Sequence, residues 1–213
     1  MFTGIVEEVG TLRSLTVGTQ SAVVEVGAQA VLEGTVVGDS ILINGVCLTV
    51  TSLDDQGLRA DVQPETVRRT TLVGLRPGAA LNLERALTMQ SRLGGHMVSG
   101  HIDGVGRVLA VAAEDNAVVL TVQAPESVAR LSVDQGSVAL DGVSLTIVNV
   151  EAERLRLALI PHTASVTTLG RLRQGDDVNL EADVIAKYVY AFLERRKPAP
   201  GLTWDKLAEA GFV

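Results

Sequence analysis

Apolar and polar residues alternate in short runs along most of the chain, the period-two pattern of half-buried strands rather than the broader stripe of helices. The clearest run is Ser40-Ile41-Leu42-Ile43, then Asn44-Gly45, then Val46-Cys47-Leu48-Thr49-Val50. Asn-Gly supplies the two positive-φ residues of a type I′ turn, so this stretch predicts a tight hairpin. On its second strand, alternation places Cys47 and Thr49 on one face and Val46 and Leu48 on the other. Similar Val-, Leu-, Ile- and Thr-rich runs, punctuated by Gly, Asp and Asn, predict a mainly β protein built as a small barrel or sandwich. Pro64 to Leu72 opens with Pro at a first helical position and predicts one short helix after the strands.

The pattern then repeats. Met1-Phe2-Thr3-Gly4-Ile5-Val6 lies over Met97-Val98-Ser99-Gly100-His101-Ile102. Asn44-Gly45-Val46-Cys47-Leu48-Thr49-Val50 lies over Asp141-Gly142-Val143-Ser144-Leu145-Thr146-Ile147, Pro64-Glu65-Thr66 over Pro161-His162-Thr163, and Asn82-Leu83-Glu84 over Asn179-Leu180-Glu181. From Asn44 to Glu84 roughly 17 of about 41 paired positions are identical, well above chance. Asp141-Gly142 predicts the second hairpin turn, and Pro161 to Leu169 the second short helix. The polar, Gly-ended stretch Thr88 to Gly95 reads as the linker. The expected domains are 1–96 and 97–183, with a tail over 184–213.

That tail has no counterpart in the first copy. Val184, Ile185, Tyr188, Val189 and Phe192 recur at helical spacing, with Glu194 to Lys197 closing the segment before Pro198 and Pro200. The pattern predicts an amphipathic helix, packed either on its own second domain or on another chain.

Composition narrows the chemistry. A net charge of -7 and no Lys/Arg run oppose a nucleic-acid partner. No apolar stretch is long enough to span a membrane, and the N-terminus has no basic segment ahead of an apolar one, so a cytoplasmic protein is expected. Cys47 is the single cysteine, which excludes an intrachain disulfide and a Cys-based zinc cluster. The three histidines, His96, His101 and His162, are too dispersed to argue for a metal. With 3% aromatic residues, hydrogen bonds rather than stacking must orient a ligand.

Residues kept in both copies are explained most cheaply by folding, so matched positions that differ point to a division of labour. Four pairs differ notably: Ile5 and His101, Cys47 and Ser144, Glu65 and His162, Phe2 and Val98. His101 stands where the other copy has an aliphatic residue, as a partly exposed strand-start histidine or as a general acid or base. Cys47 reads as a small hydrophobe or, with a lowered pKa, as a nucleophile. His162 heads the second short helix, where backbone N–H groups could hold a ligand's polar atoms.

These segments, together with Gly94-Gly95-His96-Met97-Val98-Ser99-Gly100-His101 and Asn179-Leu180-Glu181-Ala182-Asp183, resemble the riboflavin synthase family from Met1 to about Phe192. The resemblance implies two tandem six-stranded antiparallel Greek-key-like barrels and a C-terminal helix that holds a homotrimer. It implies conversion of two 6,7-dimethyl-8-ribityllumazine molecules into riboflavin and 5-amino-6-ribitylaminouracil, without cofactor or metal, between the N-terminal barrel of one subunit and the C-terminal barrel of a neighbour. Association with lumazine synthase is left open.

By motif, the resemblance gives the N-terminal site Gly4, Ile5, Val6, Cys47, Leu48, Thr49, Asp61, Val62, Gln63, Pro64, Glu65 and Thr66. The C-terminal site takes Gly100, His101, Ile102, Ser144, Leu145, Thr146, Ile160, Pro161, His162 and Thr163. The resemblance makes His101 the expected group for proton transfer at the lumazine methyl, with Cys47 and Ser40 either assisting attack at the acceptor ring or shaping the pocket. Two positions depart from the family: Gln135 stands where many relatives have lysine, and His162 where some have glutamate. The alternative is a non-catalytic lumazine- or flavin-binding protein of the same fold.

Overall fold

A computed structural model describes residues 1–18, 21–115, 117–196 and 204–212. The first repeat contributes strands β1 (Glu8–Val17), β2 (Ala22–Gly27), β3 (Ser40–Ile43), β4 (Val46–Asp54), β5 (Gly57–Val62) and β6 (Ala80–Arg85), with helix α1 (Pro64–Arg69) between the last two. The second contributes β7 (Gly104–Glu114), β8 (Ala117–Gln123), helix α2 (Glu126–Ala129), β9 (Ser137–Leu140), β10 (Val143–Glu151), β11 (Arg154–Leu159), helix α3 (Pro161–Val166) and β12 (Asp177–Ala182). Helices α4 (Val184–Arg195) and α5 (Trp204–Glu209) follow.

Each set of six strands closes into an antiparallel barrel. In the first the order is β1-β2-β5-β4-β3-β6, with β6 pairing back onto β1; β7 to β12 repeat it. The jump from β2 to β5 is the Greek-key step that the period-two pattern alone left open between barrel and sandwich. Closure requires curvature, and the same two strands of each barrel supply it through bulges. Register shifts fall between Leu12 and Ser14 on β1 and between Val50 and Ser52 on β4. Their counterparts lie between Val108 and Ala110 on β7 and between Ile147 and Asn149 on β10.

Alternation fills each interior. Ile41, Ile43, Val46, Leu48 and Val50 join one core, and Val138, Leu140, Val143, Leu145 and Ile147 the other. Both hairpin turns are type I′ as expected, with Asn44 at φ 45° and Gly45 at 81°, Asp141 at 46° and Gly142 at 81°. The two turns meet back to back: a Cβ on Gly45 would lie 2.8 Å from the Gly142 nitrogen, so neither glycine can carry a side chain. The predicted short helices form, each with proline at its first turn. Helical turns at Ala30–Leu32 and Glu126–Ala129, ahead of β3 and β9, were not legible in the sequence.

Buried amides lock the barrels together around these turns. The Asn82 side-chain amide donates to the Asp141 carbonyl at 3.0 Å, and its oxygen accepts from the Thr168 N–H at 2.8 Å. Asn179 mirrors this, donating to the Asn44 carbonyl at 2.8 Å and accepting from the Thr71 N–H at 2.8 Å. A third apolar cluster, Phe2, Leu42, Val98 and Ala139, lies between the barrels. The Phe2–Val98 difference between copies is therefore one of packing. Leu42 and Ala139 are also matched positions, so each pair combines one large and one small residue in a single shared cluster.

Helix α4 begins at the Asp183 cap, whose carboxylate accepts the Ile185 N–H at 2.8 Å. One side of the helix meets the second barrel, through the Lys187–Asp103 ion pair at 2.6 Å and Arg130 over the Tyr190 ring at 5.0 Å. The predicted apolar stripe does not: Ile185, Tyr188, Val189 and Phe192 are all more than half exposed. Lys197, Pro198 and Pro200 lie outside the described residues.

Candidate functional site

The segment leading into each barrel is held by a buried glutamate. Glu84 on β6 accepts from the Thr3 N–H at 2.6 Å, the Thr3 hydroxyl at 2.7 Å and the Gly4 N–H at 3.0 Å. Glu181 on β12 does the same for the Ser99 N–H at 2.7 Å, the Ser99 hydroxyl at 2.5 Å and the Gly100 N–H at 2.9 Å. Burial pushes both carboxyls above their ordinary pKa, opposed by the hydrogen bonds they accept.

Beyond these clamps the two leaders cross. Phe2 and Val98 pair antiparallel, after which each leader runs onto the other barrel. The Gly4 carbonyl accepts the Ser144 N–H at 2.8 Å, and the Gly100 carbonyl accepts the Cys47 N–H at 2.9 Å. Val6 packs against the second core and Ile102 against the first. Grouping the motifs by repeat is thereby corrected: Gly4, Ile5 and Val6 belong with Ser144, Leu145 and Thr146, while Gly100, His101 and Ile102 belong with Cys47, Leu48 and Thr49. Sequence order could not reveal this, because leaders that stayed home would give the same repeat.

Two related patches result, both on the outside of their barrels. In the first, Thr49 is exposed and Cys47 half-buried on β4, with the exposed His101 on the crossing leader. Strand β5 pairs with β4 and carries the chain through Asp61, Val62 and Gln63 into Pro64, Glu65 and Thr66 of α1. In the second, Thr146 is exposed and Ser144 half-buried on β10, beside the exposed Ile5, with Ile160, Pro161, His162 and Thr163 leading into α3. The Leu48, Leu145 and Val62 side chains are core residues, so these positions offer only backbone to a ligand. Glu65 is drawn to Arg68 and Arg69 of its own helix, whose hydrogen bonds lower its pKa. Gln135 is exposed at φ 62°, its N–H bonded to the Ile147 carbonyl. The His162 side chain is exposed at the head of α3.

Ser40 lies across from Thr49 and opens into a concavity of about 730 Å³ shared with Thr3, Ile5, Glu84, Arg85 and Arg92. That concavity includes neither Cys47 nor His101, so it is a neighbour of the first patch rather than its centre. Sequence reasoning passed over Glu84, Glu181 and His96 as site-building residues. The two glutamates were visible as a repeated Asn-Leu-Glu, whereas His96 lacked any signal beyond its place in a Gly-Gly-His run. Among the described residues no group of three or more His, Cys, Asp and Glu side chains could hold a metal. Among the described residues no helix is long and apolar enough to cross a membrane.

A model of the lumazine binding domain matches twice, over residues 3–86 and 99–183. Riboflavin synthase from Actinobacillus pleuropneumoniae is 41% identical over the full length of both chains, and that from Bacillus subtilis (strain 168) 40% identical over the same extent. The chain belongs to the riboflavin synthase family. The enzyme of that name from Mycobacterium bovis is 45% identical over 89% of this chain and 96% of its own. Among solved structures, LumP complexed with riboflavin superposes with a TM-score of 0.79 at 25% identity, covering 85% of this chain and 99% of that one. LumP complexed with 6,7-dimethyl-8-(1'-D-ribityl) lumazine gives 0.77 over the same shares.

Proposed function

We propose that the protein is a riboflavin synthase that moves a four-carbon unit between two bound molecules of 6,7-dimethyl-8-ribityllumazine, releasing riboflavin and 5-amino-6-ribitylaminouracil. The observation that carries this reading is the pair of like patches, each assembled from both repeats, which suits a reaction whose two substrates are identical. Backbone of β4 at Leu48 and Thr49 and of β10 at Leu145 and Thr146 would bind the ring edges, and hydroxyl and carboxylate side chains the ribityl chain. His101 is the group proposed to move a proton at the lumazine held in the first-barrel patch, with Cys47 shaping the acceptor pocket and Ser40 beside it. Holding two rings in near-attack geometry can be worth roughly 7 to 11 kcal/mol of the barrier.

Both patches are open surfaces in a single chain, and the apolar stripe of α4 is uncovered. These two features support association between copies, proposed as a homotrimer, with the first-barrel patch of one subunit closed by the second-barrel patch of a neighbour; the proposed location is the cytoplasm. The test is to supply purified protein with 6,7-dimethyl-8-ribityllumazine alone. Riboflavin should form, and His101→Ala should slow its formation while lumazine binding survives. Stable binding without product would instead make the protein a chromophore carrier.

A further inference from the structure

The imidazole of His96 lies in the segment that joins the repeats, and its Nδ1 is 2.7 Å from the Ser144 hydroxyl oxygen. Its backbone N–H donates to the Thr3 carbonyl at 3.2 Å, which pins the residue beside the crossing leader. Close approach depends on the preceding glycine. A Cβ on Gly95 would lie 2.2 Å from the Thr3 carbonyl oxygen and 2.8 Å from the Ser144 hydroxyl oxygen. His96 is only 9% exposed, and its Nε2 has no hydrogen-bond partner. A buried ring nitrogen without a partner costs about 1–3 kcal/mol, so its placement calls for a use. Desolvation lowers the pKa of His96 and keeps the ring neutral, while the Asp183 carboxylate at the head of α4 pulls the other way. In the matched place on the first barrel, Cys47 makes no side-chain hydrogen bond among the described residues.

We propose that Ser144 and His96 form a proton relay serving the ligand in the second-barrel patch, with Ser144 touching the ligand and His96 acting through it as a positioning residue. The proposal rests on the lumazine reading above. The substrate supplies an acidic C–H on its ring methyl. As that bond breaks, its electron pair stays in the ring as a delocalised anion, and the proton passes to Ser144 Oγ. The original Ser144 proton passes to His96 Nδ1. The imidazolium so formed lies in the field of Asp183, and the same path returns the proton. A hydroxyl hydrogen-bonded to an imidazole is a known solution to proton transfer near neutral pH. The two barrels then differ in kind, one offering an unassisted thiol and the other a relayed hydroxyl.

The test uses the full chain and 6,7-dimethyl-8-ribityllumazine in deuterium oxide. It follows the rate at which the ring methyl takes up deuterium above the protein-free background, beside kcat and KM for riboflavin formation. Ser144→Ala and His96→Ala should each lower both rates by about a hundredfold with KM changed less than about threefold. Because the pair acts as one unit, the double variant should be no slower than the worse single one. His96→Gln, which keeps a polar side chain but cannot take up the proton, should show the same loss and stands in if the alanine variants do not fold. Methyl exchange within about twofold of the parent in His96→Ala, or losses that multiply in the double variant, would overturn the relay. A parent protein that makes no riboflavin would overturn the underlying reading instead.

Discussion

Gly100 rests directly on Cys47: its carbonyl accepts the Cys47 N–H at 2.9 Å, and a Cβ at Gly100 would lie 2.4 Å from the Cys47 Cβ. Its φ of +82° is also a backbone state that L-residues avoid. Gly4 has the same relation to Ser144, with φ +76° and a Cβ separation of 2.6 Å. Gly100→Ala should therefore cost about 2–4 kcal/mol, from backbone strain and overpacking together. Chemical denaturation measures this directly, and an unchanged midpoint would mean that the leader can detach without loss.

The buried amides make a second prediction. Asn179→Ala leaves the Thr71 N–H and the Asn44 carbonyl without partners in a fully buried position, at about 1–3 kcal/mol for each orphaned group. The damage should fall on the coupling between barrels, so the denaturation curve should broaden or split. A single steep transition at the parental midpoint would count against the clasp.

Asp141 gives a prediction in pH. Burial raises its pKa to about 7, whereas in the unfolded chain it loses its proton near the ordinary value of about 4. Folding thus binds a proton between those values, and stability falls as pH rises from about 4 to about 7, then levels off. Asp141→Asn is neutral throughout, and its amide oxygen can accept the Asn179 N–H as Asn44 accepts that of Asn82. The variant should be more stable than the parent at pH 8, with the difference shrinking towards pH 4. Each pKa unit is worth about 1.4 kcal/mol, so the gain is on the order of a few kcal/mol. Parallel stability–pH curves for the two proteins would refute it; Glu84 and Glu181 leave a residual slope of the same sign.

Helix α4 offers the last prediction. Ile185→Asp with Val189→Asp places two charges on a face that is already exposed, so the chain should still fold. If that face is covered by another copy, sedimentation velocity should show a smaller particle than the parent. An unchanged sedimentation coefficient would remove the helix from the interface.

The repeat, the hairpin turns and the division of a strand into two faces were legible because they depend on local chemistry: Asn44-Gly45 dictates its own turn, and alternation sets Val46 and Leu48 opposite Cys47 and Thr49 without reference to anything distant. The crossing of the leaders was not legible, since it depends on which of two equivalent surfaces Gly4 meets, and both are written identically. The candidate site residues came from the differing pairs and from the family's motifs, and they were grouped by repeat because proximity in sequence was the available guide. The contact made by His96 was not legible for a related reason. Its partner Ser144 lies on the far repeat, and no period connects them.

The crossed leaders also bear on how the chain is made. Phe2 to Ile5 leave the ribosome well before Ser144, and the surface against which Gly4 docks exists only once Ser144 has been synthesised. The first barrel can close its own strands early and clamp Thr3 and Gly4 through Glu84, yet the Gly4 carbonyl waits without its second-barrel partner until Ser144 has been made. In that interval the leader is open to the same segment from another nascent chain, a route to mispairing that synthesis order builds in.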